Sequence, residues 1–279
     1  MAGTVRDRSS FRPSLVYVAP DAVDDALTGR VLARLGNSAS VHYLGERGDP
    51  LREEVTGIEN GPLEFSAGKQ RLLLTRHPGA WLKSCPGTSG HVCCNLWIVN
   101  PGEGCPLDCT YCYLQSYLRR NPTLKLYTNT SDMLREIGER AAAEPNRLFR
   151  VGTGELMDSL VWDDLTDLTL ELVPFFAKLP NGLLELKTKD DYVENLLSLR
   201  DVHKGKTVIS WSVNARAISE ADEAKTAPFE ARLAAAAKVA EAGYRVGLHF
   251  DPLIHFEGWE DGYRDTIRTI FQRLSPSAI

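Results

Sequence analysis

The sequence predicts an α/β protein: a mostly parallel sheet covered by helices, doubly wound or a partial (β/α) barrel, behind a shorter αβ region. Three observations predict it. From residue 95 onward, apolar β-like runs alternate with helical stretches. Those runs are nearly continuous in apolar residues, as strands covered on both faces are. The repeated strand–helix unit is the arrangement that builds a parallel sheet. Hydrophobic residues at 43% and charged residues at 25% match ordinary globular chains and exclude general disorder or a fibrous repeat.

Taken in order, LVYVA (15–19) reads as a strand closed by Pro20, and DAVDDALTGRVLARLG (21–36) has helical spacing with Gly36 at its end. Residues 45–68 are polar and aperiodic, while RLLLT (71–75) and AWLKS (80–84) read as two strands around the turn HPG. Residues 1–90 are taken as the N-terminal αβ region and 91–279 as the main domain. In the latter the strands are NLWIV (95–99), RLFRVG (147–152), GLLELKT (182–188), TVISWSV (207–213) and YRVGLHF (244–250). The helices are DMLREIGERAAAE after a Thr130/Ser131 cap, DDLTDLTLELVPFFAKL, DDYVENLLSL, APFEARLAAAAKVAEAG ended by Gly243, and GYRDTIRTIFQRL. The last helix runs to Leu274, so the final strand of a six-unit barrel has no sequence left to form it. Both candidate architectures place their chemistry at the carboxyl ends of the strands.

A net charge of −5 gives no general attraction to phosphate backbones, so a nucleic-acid contact needs a local basic patch. No apolar run approaches the roughly 20 residues that span a bilayer, and the start MAGTVRDRSSFRPS lacks the apolar stretch of a secretion signal. The expectation is a cytoplasmic protein without a membrane partner. All six cysteines fall between Cys85 and Cys112, which points to metal binding or thiol chemistry and away from a disulfide framework.

Cys105, Cys109 and Cys112 have the spacing C-x3-C-x2-C, directly after the first strand of the regular region. Three thiolates in one short loop can wrap a cubic iron–sulfur cluster and leave its fourth iron without a protein ligand. A structural zinc site usually takes four ligands in paired spacings, and the remaining candidates, Cys93 and Cys94, are adjacent in the chain.

This loop, with Tyr111 before its third cysteine, resembles the radical S-adenosylmethionine signature. More narrowly, CPLDCTYCYLQSYL, LVYVAP, KTK (187–189), SWSVNA (210–215) and AAKVAEAGYRVGLHFDPLIHFEGWEDGYR (236–264) are similar in order and spacing to the spore photoproduct lyase family. The resemblance implies a partial (β/α) barrel of radical S-adenosylmethionine type, with an N-terminal αβ extension and without its last strand. It implies a [4Fe-4S] cluster on Cys105, Cys109 and Cys112, and S-adenosylmethionine on the open iron, cleaved to a 5′-deoxyadenosyl radical that abstracts hydrogen. The implied activity is that of a lyase repairing a damaged pyrimidine in DNA, with flavodoxin or ferredoxin as reductant. The alternatives are a radical enzyme acting on a peptide or small metabolite, and a non-enzymatic iron–sulfur or zinc protein.

The same resemblance assigns Gly154 and Glu155 to the amino group of S-adenosylmethionine and Lys189 to its carboxylate; the residues alone also read as a turn with a helix-initiating glutamate and as a solvated surface lysine. Ser212 and Asn214 end the fourth strand, where polar side chains either face a cofactor or close the strand with an Asx turn, and His249, Asp251 and His255 end the fifth strand at a position that suits a ligand-facing loop. Asp158 and Ser159 read equally as helix caps. Tyr111 and Tyr113 resemble the family's hydrogen-relay pair, and Tyr111 equally reads as an aromatic shield packed against the cluster. One departure matters: Glu155 stands where the spore enzyme has a hydrogen-donating cysteine. Cys85, Cys93 and Cys94 are the substitute donors, the ligands of a second metal, or buried small residues. Arg119, Arg120 and Lys125 track phosphates or form an exposed helix face.

Overall fold

The computed structural model describes residues 8–56, 65–85, 87, 90, 92 and 95–279. Its strands are β1 (Leu15–Val18), β2 (Ser40–Tyr43), β3 (Arg71–Thr75), β4 (Lys83–Ser84), β5 (Leu96–Ile98), β6 (Gly102–Glu103), β7 (Asp108–Cys109), β8 (Leu124–Tyr127), β9 (Phe149–Gly152), β10 (Gly182–Thr188), β11 (Thr207–Ser212), β12 (Glu223–Ala224) and β13 (Arg245–His249). Backbone contacts gather them into two units. The first takes residues up to 77 together with 101–129 and 222–227; the second takes 78–100, 130–221 and 228–279.

In the first unit the sheet order is β2-β1-β3-β8-β6, parallel except for β6 against β8. Val16, Val18, Leu72 and Leu74 are fully buried, which is why β1 and β3 read as unbroken apolar runs. The helix Ala26–Leu35 buries Leu27, Val31 and Leu35, four residues apart on one face, and ends at Gly36 with φ +50°. β2 escaped the sequence reading because it is an edge strand whose residues are all exposed, so no apolar alternation marks it. The aperiodic stretch 45–68 likewise contains the helices Pro50–Thr56 and Phe65–Gly68. The expected hairpin around HPG is corrected: β3 lies between β1 and β8, whereas β4 pairs with β5 in the other sheet. Pro78 and Gly79 carry the chain from one unit into the next instead of turning it back.

The second unit has the order β13-β11-β10-β9-β5-β4, and β5, β9, β10, β11 and β13 are parallel neighbours in chain order. Neighbours in chain order joined by right-handed crossovers keep every helix on one face, the winding of a barrel and not of a doubly wound sheet. Among the described strands β13 has β11 as its sole partner, so the barrel is partial. The register places Val151, Leu184, Leu186, Ile209, Trp211 and Val246 on one buried face, each contributing about 1.5–3 kcal/mol by leaving water. The opposite face carries Arg150, Glu185, Lys187, Ser210 and His249.

Two helix expectations are corrected. The stretch 163–179 is two helices, Asp163–Thr166 and Leu168–Lys178, separated by Asp167 at φ +53°. The break is local chemistry: Asp163 accepts the Thr169 N–H at 2.9 Å and so caps the second helix. Thr130 begins its helix instead of capping it, and its hydroxyl donates to Glu171 at 2.8 Å. No helix among the described residues is long and apolar enough to cross a membrane.

Candidate active site

The cysteine loop belongs to the first unit. It opens at Gly104, whose φ of +86° strains any residue with a side chain and where an added Cβ would displace Leu124 Cδ2, 2.6 Å away. Cys109 sits in β7 and is 7% exposed, while Cys105 and Cys112 are half-buried; none of the three is in a disulfide. β7 pairs antiparallel with β12, setting Cys109 opposite Glu223 and Asp108 opposite Ala224. Around this short ladder the Thr110 hydroxyl donates to Asp222 at 2.6 Å and the Tyr111 phenol donates to Glu223. Gln115 donates to the Cys109 carbonyl at 2.6 Å. Asp108 meets Lys69 at 2.7 Å and Lys225 at 2.6 Å. Burial works against the Asp108 carboxylate, but hydrogen bonds from Lys225 and Lys69, with their charges, hold it below its ordinary value.

Tyr113, by contrast, is 57% exposed. Lys125 is taken up by Glu103 at 2.9 Å, which removes it from the basic run; Arg119 and Arg120 are exposed.

In the second unit the parallel strands deliver their following residues to one end. Glu155 accepts from Asn100 Nδ2 at 3.0 Å. Gly154 lies against Lys187 and Ser159, where an added Cβ would come to 3.1 and 3.2 Å. Asn214 is buried and internally committed, accepting from Tyr263 at 2.5 Å and from the Ala215 N–H at 3.0 Å, and donating to the Pro252 carbonyl at 3.3 Å. The Ser212 carbonyl receives the buried Arg232 guanidinium at 3.0 Å. Asp251 is held by Lys187 at 3.0 Å, and His255 is exposed beside Trp259. Cys85 is half-buried just after β4; Cys93 and Cys94 lie outside the described residues.

Asp158 organises this end. Its Oδ1 accepts from the Leu160 and Val161 N–H groups, both at 3.0 Å, and from Thr188 at 2.7 Å. Its Oδ2 accepts the Lys189 N–H at 2.7 Å. Asp158 caps no helix, since residues 159–162 are bends and turns and the next helix begins at Asp163; it closes a local turn and pins the loop after β9 to the end of β10. Asp158→Asn places an amide NH2 against one of these donors, and thermal unfolding is expected to show a loss of about 2 kcal/mol.

On the open face Glu185 joins four strands. It accepts from Arg150 Nε and Nη2 at 2.9 and 2.5 Å, from Ser210 at 3.0 Å, and lies 3.1 Å from His249 Nε2. Burial raises the Glu185 pKa, yet hydrogen bonds from His249, Arg150 and Ser210 and the Arg150 charge outweigh it and bring it to about 2. An ionised carboxylate only accepts, so His249 donates from Nε2 and turns Nδ1 away from Glu185.

A family model described as spore photoproduct lyase matches residues 92–279. The chain belongs to the spore photoproduct lyase family. The spore photoproduct lyase of Bacillus subtilis (strain 168) is 33% identical over 270 residues, 96% of this chain and 74% of that protein. That of Geobacillus sp. (strain Y412MC61) is 28% identical over 269 residues, 95% of this chain and 74% of the relative. A solved spore photoproduct lyase variant with bound AdoMet and dinucleoside spore photoproduct superposes with a TM-score of 0.82 at 27% identity, covering 96% of this chain and 76% of that one. This protein is therefore a lyase of the radical S-adenosylmethionine class, with the partial barrel that the sequence resemblance implied.

Among the described residues no three His, Cys, Asp or Glu side chains converge as they would on a single metal ion. In a [4Fe-4S] cluster each thiolate binds a different iron, so its sulfurs stand farther apart than around one ion. The donor set of the loop, three thiols outside disulfides, has the chemistry for such a cluster. Sequence reasoning missed the groups around it. Lys69, Asp222, Glu223 and Lys225 meet the loop only through long-range folding. Arg150 and Glu185 did leave a signal, being charged residues inside otherwise apolar strands of a covered sheet.

Proposed function

We propose that this chain holds a [4Fe-4S] cluster on Cys105, Cys109 and Cys112 and binds S-adenosylmethionine there to act on a damaged pyrimidine pair in DNA. The observation that carries the reading is the three-thiol loop, braced by Asp108, Thr110 and Tyr111, in a chain of the spore photoproduct lyase family. With its cofactors bound, such a site supplies a 5′-deoxyadenosyl radical. The substrate class follows relatives whose structures carry dinucleoside spore photoproduct. A lesion in a duplex has to be flipped out of the stack to be reached.

The residues at the strand ends take the binding roles. Glu155 faces the ammonium of S-adenosylmethionine, with the Gly154 backbone beside it, and Asn100 orients the Glu155 carboxylate. Lys189 meets the cofactor carboxylate, its backbone fixed by Asp158. Ser212 and His249 complete the cofactor side, Glu185 fixes the His249 ring, and Asn214, committed to Tyr263 and the Pro252 carbonyl, holds the strand end in place. Tyr113, exposed beside the third cysteine, and Tyr111 serve as the hydrogen relay. With Glu155 in place of the donor cysteine, the thiol that returns hydrogen is Cys85, Cys93 or Cys94. A low-potential flavodoxin or ferredoxin supplies the electron.

The test is anaerobic reconstitution with iron and sulfide, followed by electron paramagnetic resonance of the reduced chain with and without S-adenosylmethionine. A [4Fe-4S] signal that changes on addition, 5′-deoxyadenosine under reduction, and turnover of a lesion-bearing oligonucleotide are expected. A cluster indifferent to S-adenosylmethionine would overturn the reading. Cleavage of S-adenosylmethionine with no lesion turnover would move the substrate to a peptide or small metabolite.

A further inference from the structure

Residues 222–227 return to the cysteine loop from far along the chain, Glu223 lying 112 positions from the Tyr111 it bonds. Within this return Lys225 has φ +62°, a left-handed conformation that suits glycine and that other residues adopt only when their surroundings hold them there. Thr226 closes the turn, its hydroxyl donating to the Glu223 carbonyl at 2.7 Å. From this backbone the Lys225 ammonium reaches Asp108 Oδ2 at 2.6 Å. The other Asp108 oxygen takes the buried Lys69 at 2.7 Å, and Lys69 also donates to the Leu107 carbonyl.

A glycine would satisfy the Lys225 backbone better, and what it would lack is the ammonium. We propose that Lys225 and Asp108 are positioning residues for Cys109: a strained lysine in the turn after β12 clamps the aspartate next to the central cysteine, and so sets that thiol's place in the loop. The inference rests on the cluster assignment above only for its purpose; the clamp itself is a property of the chain without iron.

The experiment separates the two. In the full-length chain without iron, the alkylation rate of Cys109 by iodoacetamide is followed by mass spectrometry, with Cys85 of the other unit as internal reference. Lys225→Gly removes the ammonium while easing the backbone, so the fold is retained. It is expected to speed Cys109 alkylation by about tenfold through more frequent opening of the loop, with Cys85 unchanged. Asp108→Ala is expected to match it, and Lys225→Arg to stay near the parent rate. After reconstitution, a chelator is expected to strip iron faster from the first two variants than from the third. An unchanged Cys109 rate in both Lys225→Gly and Asp108→Ala, or a Cys85 rate rising in step with it, would overturn the clamp. A parent chain that takes up no iron would instead overturn the cluster assignment and leave the alkylation result to decide the clamp.

Discussion

Replacing Cys109 with alanine is expected to leave the fold in place while lowering reconstituted iron from about four per chain to fewer than one and abolishing 5′-deoxyadenosine formation. The two halves of that expectation have separate origins. Cys109 is buried in β7, and losing one sulfur there creates a small cavity, worth about 1 kcal/mol in thermal unfolding. Several contacts that shape the loop leave that sulfur out. The ladder with β12, the Thr110–Asp222 bond and the Lys69–Asp108–Lys225 cluster involve backbone and neighbouring side chains. A large loss of iron with a small loss of stability therefore isolates the thiolate's role as ligand. Full iron loading in Cys109→Ala, measured by metal analysis, would move the cluster to other cysteines, Cys85, Cys93 and Cys94 being the remaining candidates.

The second large effect is expected at Glu185, where Glu185→Gln should lower stability by about 3 kcal/mol, because Arg150 and His249 are left facing a neutral amide. In a chain of this size that corresponds to a fall in melting temperature of roughly 5–10 °C. The same carboxylate gives a pH signature. Its folded value of about 2 lies below its ordinary 4.5, so its contribution of about 3 kcal/mol is fully present above pH ~4.5 and is lost as the pH falls toward 2. Denaturant unfolding across that range is expected to show a shallower acid loss in Glu185→Gln than in the parent chain. Equal slopes would mean that the network does not lower the proton affinity of the Glu185 carboxylate.

How far the sequence foretold this molecule depends on where each element's signal resides. The parallel strands of the second unit were legible because β10 and β11 are covered and their own residues, LLELKT and TVISWS, carry the apolar record of it. β2 is fully exposed at an edge and carries no such record. β8, with LKLY, has its short apolar run broken by Lys125 and does not stand out between the cysteine loop and the helix Thr130–Ala143. HPG looks like a hairpin turn, and nothing local tells a chain that turns back from one that crosses to another sheet. At the site, C-x3-C-x2-C is a local spacing and was read directly. Lys69 and Lys225 became partners of Asp108 only through folding, and their sequence neighbourhoods contain nothing to announce it. Asn214 was legible as a polar strand end, whereas its bond with Tyr263 required the last helix to be in place.

The pairing of β7 with β12 also sets a timetable for biosynthesis. A ribosome adding about 5–20 residues per second delivers Tyr111 first and Glu223 only 112 positions later, a delay of roughly ten seconds. Through that interval the nascent chain carries three thiols on a loop whose partner strand has not been made. The bonds that close the loop, from Thr110 to Asp222 and from Tyr111 to Glu223, thus form only after that strand has emerged.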